Sequence, residues 1–373
     1  MVFYLNQQTV AEVNLNYLQD NIKILKELIG PRLLLAVLKT NAYGHGLELA
    51  AQAAVTADAD RIGVTTVEEG ITLRNHGIQI PIHLLSPPPV EAAEAIVQFQ
   101  LIAPVSTRIL AQALHKSALK LNKKATVHLK INTGLQRFGL DPEEAVNFLQ
   151  SVYWLHGLYW EGVYTHFSNA DEGDWRQTEK EFHLYLNTVK ELKAKGFQFL
   201  LHHAGASTIA LERKDMYLDM VRPGIALFGC YPAARQRKIA DLKTVMSVKT
   251  RLIEVRHVKP EKKIGYGNAY VTSTNEKIGV LPVGIGDGFR ESLTNGEVLI
   301  RGQRAKVVGS ISLDQTFVNV TSIPGAKVGD EVTIIGRQGN EQIRAETIAA
   351  KTNGKTEAVL ACIMPRVSRV GIF

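Results

Sequence analysis

Residues 33–57 read LLLAVLKTNAYGHGLELAAQAAVTA, and this stretch contains the unit from which the first part of the chain is built. Leu33–Leu38 is a short apolar run of the kind that forms a buried parallel strand. A turn containing two glycines follows, and Gly46–Ala57 has the length and alanine content of a helix. Strand, short turn and helix in this order predict a parallel sheet covered by helices.

The same unit recurs up to about residue 230. Eight strand candidates separated by helix candidates predict a closed (β/α)₈ barrel, which belongs to the α/β class. An open doubly wound sheet is the alternative, but no G-x-G-x-x-G motif follows an early strand. The eight candidates are Leu33–Leu38, Arg61–Thr66, Pro81–Leu85, Leu101–Val105, Thr126–Ile131, Leu158–Thr165, Phe199–His203 and Ile225–Gly229.

The pattern changes at Ala233–Leu242, a polar and basic stretch that we interpret as a linker. Beyond it, short β-type runs separated by Gly, Asn or Pro predict a mainly-β domain with a single helix candidate, Arg344–Lys351. We therefore expect the barrel over residues 1–240 and the C-terminal β domain over residues 241–373. A strand-like run near the N-terminus makes residues 1–15 a candidate part of the β domain.

The net charge of +7 raises the question of nucleic-acid binding. The basic residues are spread along the chain and form only short clusters, such as Lys123-Lys124 and the RQRK of residues 235–238. These clusters lack the aromatic residues or recognised motif that nucleic-acid binding requires, so we expect solvated surface rather than a nucleic-acid partner.

Composition also indicates the cellular compartment. The two cysteines, Cys230 and Cys362, are too few for a disulfide framework or a cysteine-based metal cluster, and we expect no metal. The N-terminus has no basic leader followed by an apolar core, and no apolar run is long enough to span a bilayer. We therefore expect a soluble, cytoplasmic protein with no membrane partner.

Functional groups of a parallel barrel gather at the C-terminal ends of its strands, and polar side chains of this chain fall there. Each has an ordinary structural alternative, such as a hydrogen-bonded core histidine or an ion-paired arginine. Their recurrence at successive strand ends favours one shared site. The candidates are Lys39 after the first strand, Lys130 and Arg137 after the fifth, His166 after the sixth, Ser207 after the seventh, and Arg222, Gly224 and Ile225 leading into the eighth.

Lys39 is the candidate with the clearest chemistry. An apolar strand that excludes water from an amine disfavours its protonated form, which makes the lysine nucleophilic near neutral pH. Such a lysine can form a Schiff base with a carbonyl compound, including pyridoxal 5'-phosphate (PLP). The alternative for this segment alone is a lysine that extends from a strand end to solvent.

Several motifs resemble those of bacterial PLP-dependent alanine racemases over the whole chain: AVLKTNAYGHG from residue 36, KINTGLQRFGL, THFSNADE, VRPGIALFG and IGYGNAY. The resemblance implies a fold-type III PLP enzyme, an isomerase that interconverts L- and D-alanine. It further implies a homodimer with shared active sites and a role in supplying D-alanine for peptidoglycan.

The resemblance also implies individual roles. Lys39 matches the lysine that holds PLP and acts as one base, and Tyr266 matches the second base, which comes from the partner subunit. His166 matches the residue that links this tyrosine to Arg222, and Arg222 matches the partner of the pyridine nitrogen. The phosphate-binding positions are matched by Tyr43, Ser207, Gly224 and Ile225.

Three further positions match residues near the substrate. Arg137 resembles the arginine that contacts the phenolic oxygen of PLP and the substrate carboxylate. Lys130 matches a lysine that is carbamylated in some members and orients this arginine. Leu313, in SISLD, occupies a substrate-contacting position.

The match to the family is weakest around the substrate entrance. Ile285 replaces an aromatic residue, Leu313 replaces a methionine, and the segment around Thr356 lacks the usual tyrosine. These departures leave two alternatives to alanine: serine as the substrate, or a broader range of amino acids. A non-catalytic PLP-binding homologue is a third alternative, which the β domain carrying Tyr266 argues against.

Overall fold

The structure is a computed structural model that describes residues 8–289 and 296–373. Its contacts divide these residues into two compact units. The barrel unit consists of Leu18–Ala42 and Leu47–Lys243. The β unit contains the described residues up to Tyr17, the short segment Tyr43–Gly46, and Thr244–Phe373.

The barrel unit contains eight parallel strands that close on themselves, with Met220–Val221 pairing back to Leu33–Val37. Closure leaves no edge strand, and the interior faces of the strands form a packed core. The predicted (β/α)₈ barrel is therefore confirmed. Its strands are β2 (Leu33–Val37), β3 (Arg61–Val64), β4 (Ile82–Leu84), β5 (Leu101–Val105), β6 (Ala125–Lys130), β7 (Leu158–Tyr164), β8 (Leu201–His203) and β9 (Met220–Val221).

Helices follow the strands, and local signals set several of their ends. Thr66 and Glu69 form a reciprocal capping box at the start of the helix Val67–Asn75, and Asp174 accepts a hydrogen bond from the Arg176 N–H at the start of the helix Trp175–Ala194. The helical segments up to the end of the barrel unit are α1 (Leu15–Ile29), α2 (Lys39–Tyr43, which is a left-handed turn), α3 (Leu47–Thr56), α4 (Val67–Asn75), α5 (Ala93–Gln98), α6 (Arg108–Lys120), α7 (Ala145–Val152), α8 (Trp175–Ala194) and α9 (Ser207–Glu212).

The predicted eighth strand, Ile225–Gly229, is wrong. The strand that closes the barrel is Met220–Val221, and Ile225–Phe228 forms a 3₁₀ helix that begins after Gly224. A short apolar run that is buried on all sides has no periodicity to separate strand from helix, which explains the error. As a consequence, Arg222 and Gly224 follow the eighth strand instead of preceding it.

The interpretation of Ala233–Leu242 as a linker is also wrong. Ala234–Lys238 forms a 3₁₀ helix in which Gln236 is buried, and this glutamine donates hydrogen bonds to Thr208 Oγ1 at 3.1 Å and Glu212 Oε1 at 2.7 Å. The stretch therefore packs on the barrel helix α9 and belongs to the barrel unit.

The β unit contains one large sheet and a separate two-stranded hairpin, as the predicted mainly-β domain requires. The first strand, β1, lies between antiparallel β10 and parallel β20. The strands are β1 (Val10–Asn14), β10 (Met246–Arg251), β11 (Glu254–Val258), β12 (Lys263–Ile264), β13 (Tyr270–Val271), β14 (Glu276–Leu281), β15 (Glu297–Ile300), β16 (Gln303–Val308), β17 (Thr316–Asn319), β18 (Glu331–Gln338), β19 (Glu341–Ile343) and β20 (Ser368–Ile372).

Two helices of the β unit lie between β19 and β20. The first, α10 (Ala345–Lys351), lies within the predicted span, whereas α11 (Thr356–Ala361) was not predicted. A six-residue segment is too short to display helical periodicity. Within the described residues, no helix combines the length and apolar character needed to cross a membrane.

Two left-handed glycines of the β unit provide a matched test of packing. Gly288 (φ 89°) and Gly329 (φ 90°) have the same backbone conformation. A Cβ at Gly288 would lie 2.0 Å from the Cys362 carbonyl oxygen and 2.9 Å from the Ile363 Cα, whereas a Cβ at Gly329 would meet nothing within 4 Å.

We predict that Gly329→Ala lowers the free energy of unfolding by about 1 kcal/mol, which is the cost of a left-handed L-residue. Gly288→Ala will cost a further ~1–3 kcal/mol because rigid backbone atoms must move. Urea unfolding followed by far-UV circular dichroism measures both variants. Equal losses would contradict the close packing at Gly288.

Candidate active site

Lys39 lies two residues after the end of β2 and is half-buried at the C-terminal end of the barrel. The backbone after it turns in the left-handed sense, because Thr40, Asn41, Ala42 and Tyr43 all have φ between 52° and 57°. Each L-residue in this conformation costs about 1–2 kcal/mol. Such a run persists only where surrounding contacts hold it, and strain of this kind is concentrated at functional sites.

Contacts from α4 and α3 hold this turn. The Asn41 N–H donates to Glu69 Oε1 at 3.1 Å, and the Asn41 side-chain oxygen accepts from the Leu47 N–H at 2.8 Å. Glu69 also accepts hydrogen bonds from the N–H groups of Thr65 and Thr66. The capping box of α4 therefore also fixes the turn after Lys39, a role for Glu69 that the sequence does not reveal.

Tyr43, a predicted phosphate-binding residue, is half-buried and begins the segment that groups with the β unit. The next residue, Gly44, accepts a hydrogen bond from Arg369 Nε at 2.8 Å. Gly44 also lies against the backbone of Leu360, which leaves no space for a Cβ. The residues after Tyr43 are thus held by the C-terminal part of the chain.

Lys130 ends β6 and is buried. Its Nζ donates to the Ile131 carbonyl at 2.9 Å and lies 5.8 Å from the Phe138 ring centroid and 5.4 Å from that of Tyr164. Burial lowers the pKa of Lys130 to about 7, and the charges of Arg222 and Arg137 add to this effect. The amine is therefore partly neutral at physiological pH.

Arg137 lies in the loop after β6 and is exposed. Asn132 organises this loop, since its amide donates to Gln136 Oε1 at 2.8 Å and Asp141 Oδ1 at 2.7 Å. A backbone bridge between Ile131 and Leu140 closes the loop. These contacts therefore fix the loop that carries Arg137 close to Lys130.

Arg222 is buried, and both of its Nη atoms donate hydrogen bonds. Nη1 donates to His203 Nδ1 at 2.8 Å, and Nη2 donates to the carbonyls of Thr165 and Ala204, both at 2.8 Å. Nη2 also lies 3.2 Å from His166 Nδ1. Within the described residues, none of these contacts uses the Nε–H of Arg222. Burial lowers the pKa of Arg222 to about 10, so it stays charged near neutral pH.

His166 lies close to the positive charges of the barrel site. Burial lowers the pKa of His166 well below its usual value, and the charges of Arg222, Lys130, Arg137 and Lys39 lower it further. His166 is therefore neutral at physiological pH, with its proton on Nε2 because Nδ1 accepts from Arg222. The structure thus brings these five predicted site residues within electrostatic reach of one another.

Ser207, Gly224 and Ile225 lie together in the segments that follow the seventh and eighth barrel strands. Ser207 begins α9, and its buried hydroxyl oxygen accepts from the Gly224 N–H at 3.0 Å and the Ala226 N–H at 3.4 Å. Ile225 begins the adjacent 3₁₀ helix. Loops after the last two strands and the start of a short helix are where barrels of this type bind phosphate.

Tyr266 lies in the β unit, at the tip of the β12–β13 hairpin, with 77% of its side chain exposed. Gly265 (φ 72°) and Gly267 (φ 65°) on either side adopt the left-handed conformations that the tight tip requires. Ser310 Oγ donates to the Tyr266 carbonyl at 2.8 Å and fixes the hairpin to the connection between β16 and β17. The Tyr266 side chain is therefore exposed on a hairpin that the hydrogen bond from Ser310 holds in place.

Ile285 and Leu313 are neighbouring exposed residues of the same unit. Leu313 is 66% exposed, and its carbonyl accepts from the Gly286 N–H at 2.9 Å. Ile285 donates its N–H to the Ser312 carbonyl at 2.9 Å and is 40% exposed. Thr356, the third departure from the family pattern, begins α11 and is half-buried.

The sequence did not reveal the residues that hold Arg222 from inside the barrel. His203 follows Arg222 in the hydrogen-bond chain, and His128 and Glu161 extend the chain further. Tyr164 stacks on His203 with ring centroids 4.8 Å apart. Polar residues at core positions of predicted strands were the available signal, since such positions are usually apolar.

Both parts of the chain match models of a known protein family. Residues 13–232 match the family model for the N-terminal domain of alanine racemase, and residues 245–371 match that for its C-terminal domain. The chain belongs to the alanine racemase family. It is therefore an isomerase that racemises an amino acid, and the family uses PLP.

Individual relatives cover nearly the whole chain. The alanine racemase of Halothermothrix orenii is 37% identical, with 98% of this chain and 97% of the relative aligned. A solved alanine racemase from Clostridium difficile 630 superposes with a TM-score of 0.95 at 34% identity and covers 99% of this chain and 96% of the other. A histidine racemase from Leuconostoc mesenteroides superposes with a TM-score of 0.90 at 26% identity and 99% coverage of both.

The lowered pKa of Lys130 predicts a pH-dependent stability. Between pH 7 and 10.5 the unfolded lysine binds a proton that the folded one has lost, so stability rises with pH by up to ~1.4 kcal/mol per unit. We expect Lys130→Met to remove this rise in CO₂-free buffer. Urea unfolding followed by fluorescence measures it, because Trp154, Trp160 and Trp175 all lie in the barrel unit.

The matched control is Lys190→Met, which removes an exposed lysine of α8. This variant should keep the wild-type slope. If the slope also survives in Lys130→Met, the folded lysine does not titrate near pH 7.

Proposed function

We propose that this protein interconverts L- and D-alanine with PLP, using Lys39 and Tyr266 of the partner subunit as its two proton-transfer residues. The observation that carries the proposal is the buried guanidinium of Arg222, which is held at both Nη atoms and leaves its Nε–H for a ligand. The product D-alanine would serve peptidoglycan synthesis.

The residues of the barrel site fit PLP. Ser207, Gly224 and Ile225 would hold the phosphate, together with Tyr43, at the position where barrels bind such groups. Lys39 would hold the aldehyde carbon, and Arg222 would donate its Nε–H to the ring nitrogen. When bound, PLP withdraws electrons from the substrate α-carbon and so makes its proton easier to remove.

Arg222 also accounts for the choice of reaction. Guanidinium donates hydrogen bonds but does not accept them, and its pKa of about 10 keeps it protonated at neutral pH. Arg222 would therefore leave a ring nitrogen that faced it unprotonated. This moderates electron withdrawal and favours return of a proton to the α-carbon over transamination.

The other residues bind the substrate and move its proton. Arg137, exposed at the mouth, binds the substrate carboxylate through a charge-assisted pair. Lys39 Nζ takes or returns a proton on one face of the α-carbon, and the partner subunit's Tyr266 does so on the opposite face. A phenol has an ordinary pKa near 10, so neutral His166 and charged Arg222 assist its proton transfer.

Lys130 is proposed to be carbamylated. Carbamylation requires a neutral amine, and the lowered pKa of Lys130 provides one. The buried hydroxyl of Tyr164 has no hydrogen-bond partner within the described residues, and a carbamate would offer it an acceptor. The added negative charge would also pair with Arg137 and hold it in place.

Exposed Ile285 and Leu313 support a second candidate function, the racemisation of other amino acids. Both side chains are apolar, and a change of one group in a pocket shifts discrimination between substrates by about 1–3 kcal/mol. Serine and histidine are the amino acids to compare, the latter because a histidine racemase shares the fold.

The test is formation of D-enantiomers from a panel of L-alanine, L-serine and L-histidine by the PLP-loaded protein. We predict that alanine has the highest kcat/KM and that Lys39→Ala lowers its kcat by at least ~10²–10⁴-fold, the range for a positioned acid–base residue. The variant should also lose the absorbance of lysine-bound PLP. Lys190→Ala, on an exposed helix face, should retain both properties.

Faster turnover of serine or histidine would replace alanine as the substrate while keeping the chemistry. A Lys39→Ala variant that retains the wild-type cofactor spectrum would overturn the assignment of the lysine.

The shared site predicts complementation between inactive subunits. Lys39→Ala and Tyr266→Phe homodimers should each lack activity, because each site lacks one proton-transfer residue. After mixing, a heterodimer has one site with both residues, so random pairing should restore up to about a quarter of the wild-type activity. Differently tagged chains verify exchange, and a mixture that exchanges without regaining activity would show that Tyr266 does not act across subunits.

A further inference from the structure

A chain of hydrogen bonds runs from Arg222 through the interior of the barrel. Arg222 Nη1 lies 2.8 Å from His203 Nδ1, and His203 Nε2 lies 2.8 Å from His128 Nδ1. His128 Nε2 in turn lies 2.9 Å from Glu161 Oε2. Both histidines are buried, and they lie on β8 and β6, while Glu161 lies on β7.

The direction of every bond in this chain follows from Arg222. A guanidinium can only donate, so His203 must accept at Nδ1 and carry its proton on Nε2. His203 then donates to His128 Nδ1, which leaves the proton of His128 on Nε2 for donation to Glu161. Burial lowers the pKa of both histidines, so each carries a single proton at neutral pH and the assignment is unambiguous.

Glu161 terminates the chain as an ionised acceptor. Burial alone would raise the pKa of Glu161, but hydrogen bonds from His128 and Arg61, with the charge of Arg61, lower it to about 2. Arg61 holds both carboxylate oxygens, at 2.6 and 3.1 Å. A carboxylate fixed in this way can only accept from His128, so both ends of the chain impose the same direction.

The cluster of His83, His128 and Glu161 has the residue types of a metal site, with ligand atoms within 4.8 Å of one another. The Arg61 guanidinium, however, contacts Glu161 at 2.6 Å and His83 Nε2 at 3.1 Å. His128 Nε2 carries the proton that Glu161 accepts. A fixed cation and a protonated ring nitrogen therefore use the donor atoms that a metal would need.

A glycine of β7 leaves space in the barrel interior for this chain of hydrogen bonds. Gly162 follows Glu161 in β7, and a Cβ there would lie 2.4 Å from His128 Cε1, so only glycine leaves room for the ring. Barrel interiors are usually filled by branched apolar side chains. A buried polar network is tolerated only when each member is satisfied, and the loss of one acceptor disturbs the others.

We propose that Glu161 is a positioning residue for the racemase site: through His128 and His203 it fixes the histidine tautomers that let Arg222 donate into the barrel and hold its guanidinium in one orientation. Without the acceptor at Glu161, only the Arg222 end of the chain opposes a reversal of the His128 and His203 tautomers. A reversed His203 would present an N–H to Arg222 Nη1, and two donors would face each other.

Neutron diffraction from the PLP-loaded protein tests the tautomers directly. We expect deuterium on Nε2 of His128 and of His203, and none on Nδ1 of either ring. Deuterium on Nδ1 of His203 would overturn the proposal. This measurement does not depend on catalytic activity, so it remains decisive if the wild type proves to lack racemase activity and the proposed function fails.

Two substitutions of Glu161 test the consequence for the site, which rests on the proposed function. Glu161→Met removes the acceptor, and we expect kcat to fall by about tenfold or more, from the loss of a buried hydrogen-bond partner, with KM within about twofold. Glu161→Gln keeps an oxygen for His128 while it loses the Arg61 Nη2 bond and the charge paired with Arg61, so it should retain most of this activity. Glu94→Met, at an exposed ion pair with Lys120, is the control and should match the wild type.

Unchanged kcat in Glu161→Met, or equal losses in Glu161→Met and Glu161→Gln, would contradict a role through the tautomers. If Glu161→Met does not fold, Glu161→Gln and the neutron result decide together, and loss of most of the activity in Glu161→Gln would contradict a role through the tautomers.

Discussion

The hydrogen bonds of buried Arg222 are the constraint on which the site depends. Its Nη atoms donate to groups on two segments, Thr165 and His166 after β7, and His203 and Ala204 at the end of β8. These acceptors are all neutral, so the charge is stabilised by oriented dipoles rather than by a directly bonded carboxylate. A misplaced acceptor would leave a buried cation unsatisfied, which is costly. One side chain therefore fixes the ends of three neighbouring strands.

The convergence of cations at the barrel mouth makes the site a receptor for anions. Arg222, Lys130, Arg137 and Lys39 all act on the pKa of His166, so they lie close enough to repel one another. Glu181 offsets part of this repulsion at Lys130. The folded protein bears the remaining cost, which a bound phosphate or carboxylate relieves. The arrangement of these cations would therefore favour binding of the proposed anionic cofactor and substrate.

The sequence predicted the barrel because its strands are apolar runs at regular intervals, and it predicted the polar residues that follow them. It failed at Ile225–Phe228, where burial on all sides hides the helical period. The left-handed run after Lys39 was not predictable, because TNAY contains no glycine and contacts with Glu69 impose the conformation. The partners His128 and Glu161 were missed since only barrel closure brings them near Arg222.

Closure of the barrel also aligns the two residues that would act on opposite ends of the cofactor. Strand β2 pairs with β9, with Leu34 opposite Val221, and the Val37 N–H donates to the Pro223 carbonyl at 3.0 Å. Lys39 and Arg222 therefore leave the barrel from adjacent strands. The strained turn restrains Lys39 on one side, and the histidine chain restrains Arg222 on the other. Because a displacement of about 1 Å at reacting groups can cost 10²-fold in rate, two independent restraints on adjacent strands are a direct means of keeping their separation fixed.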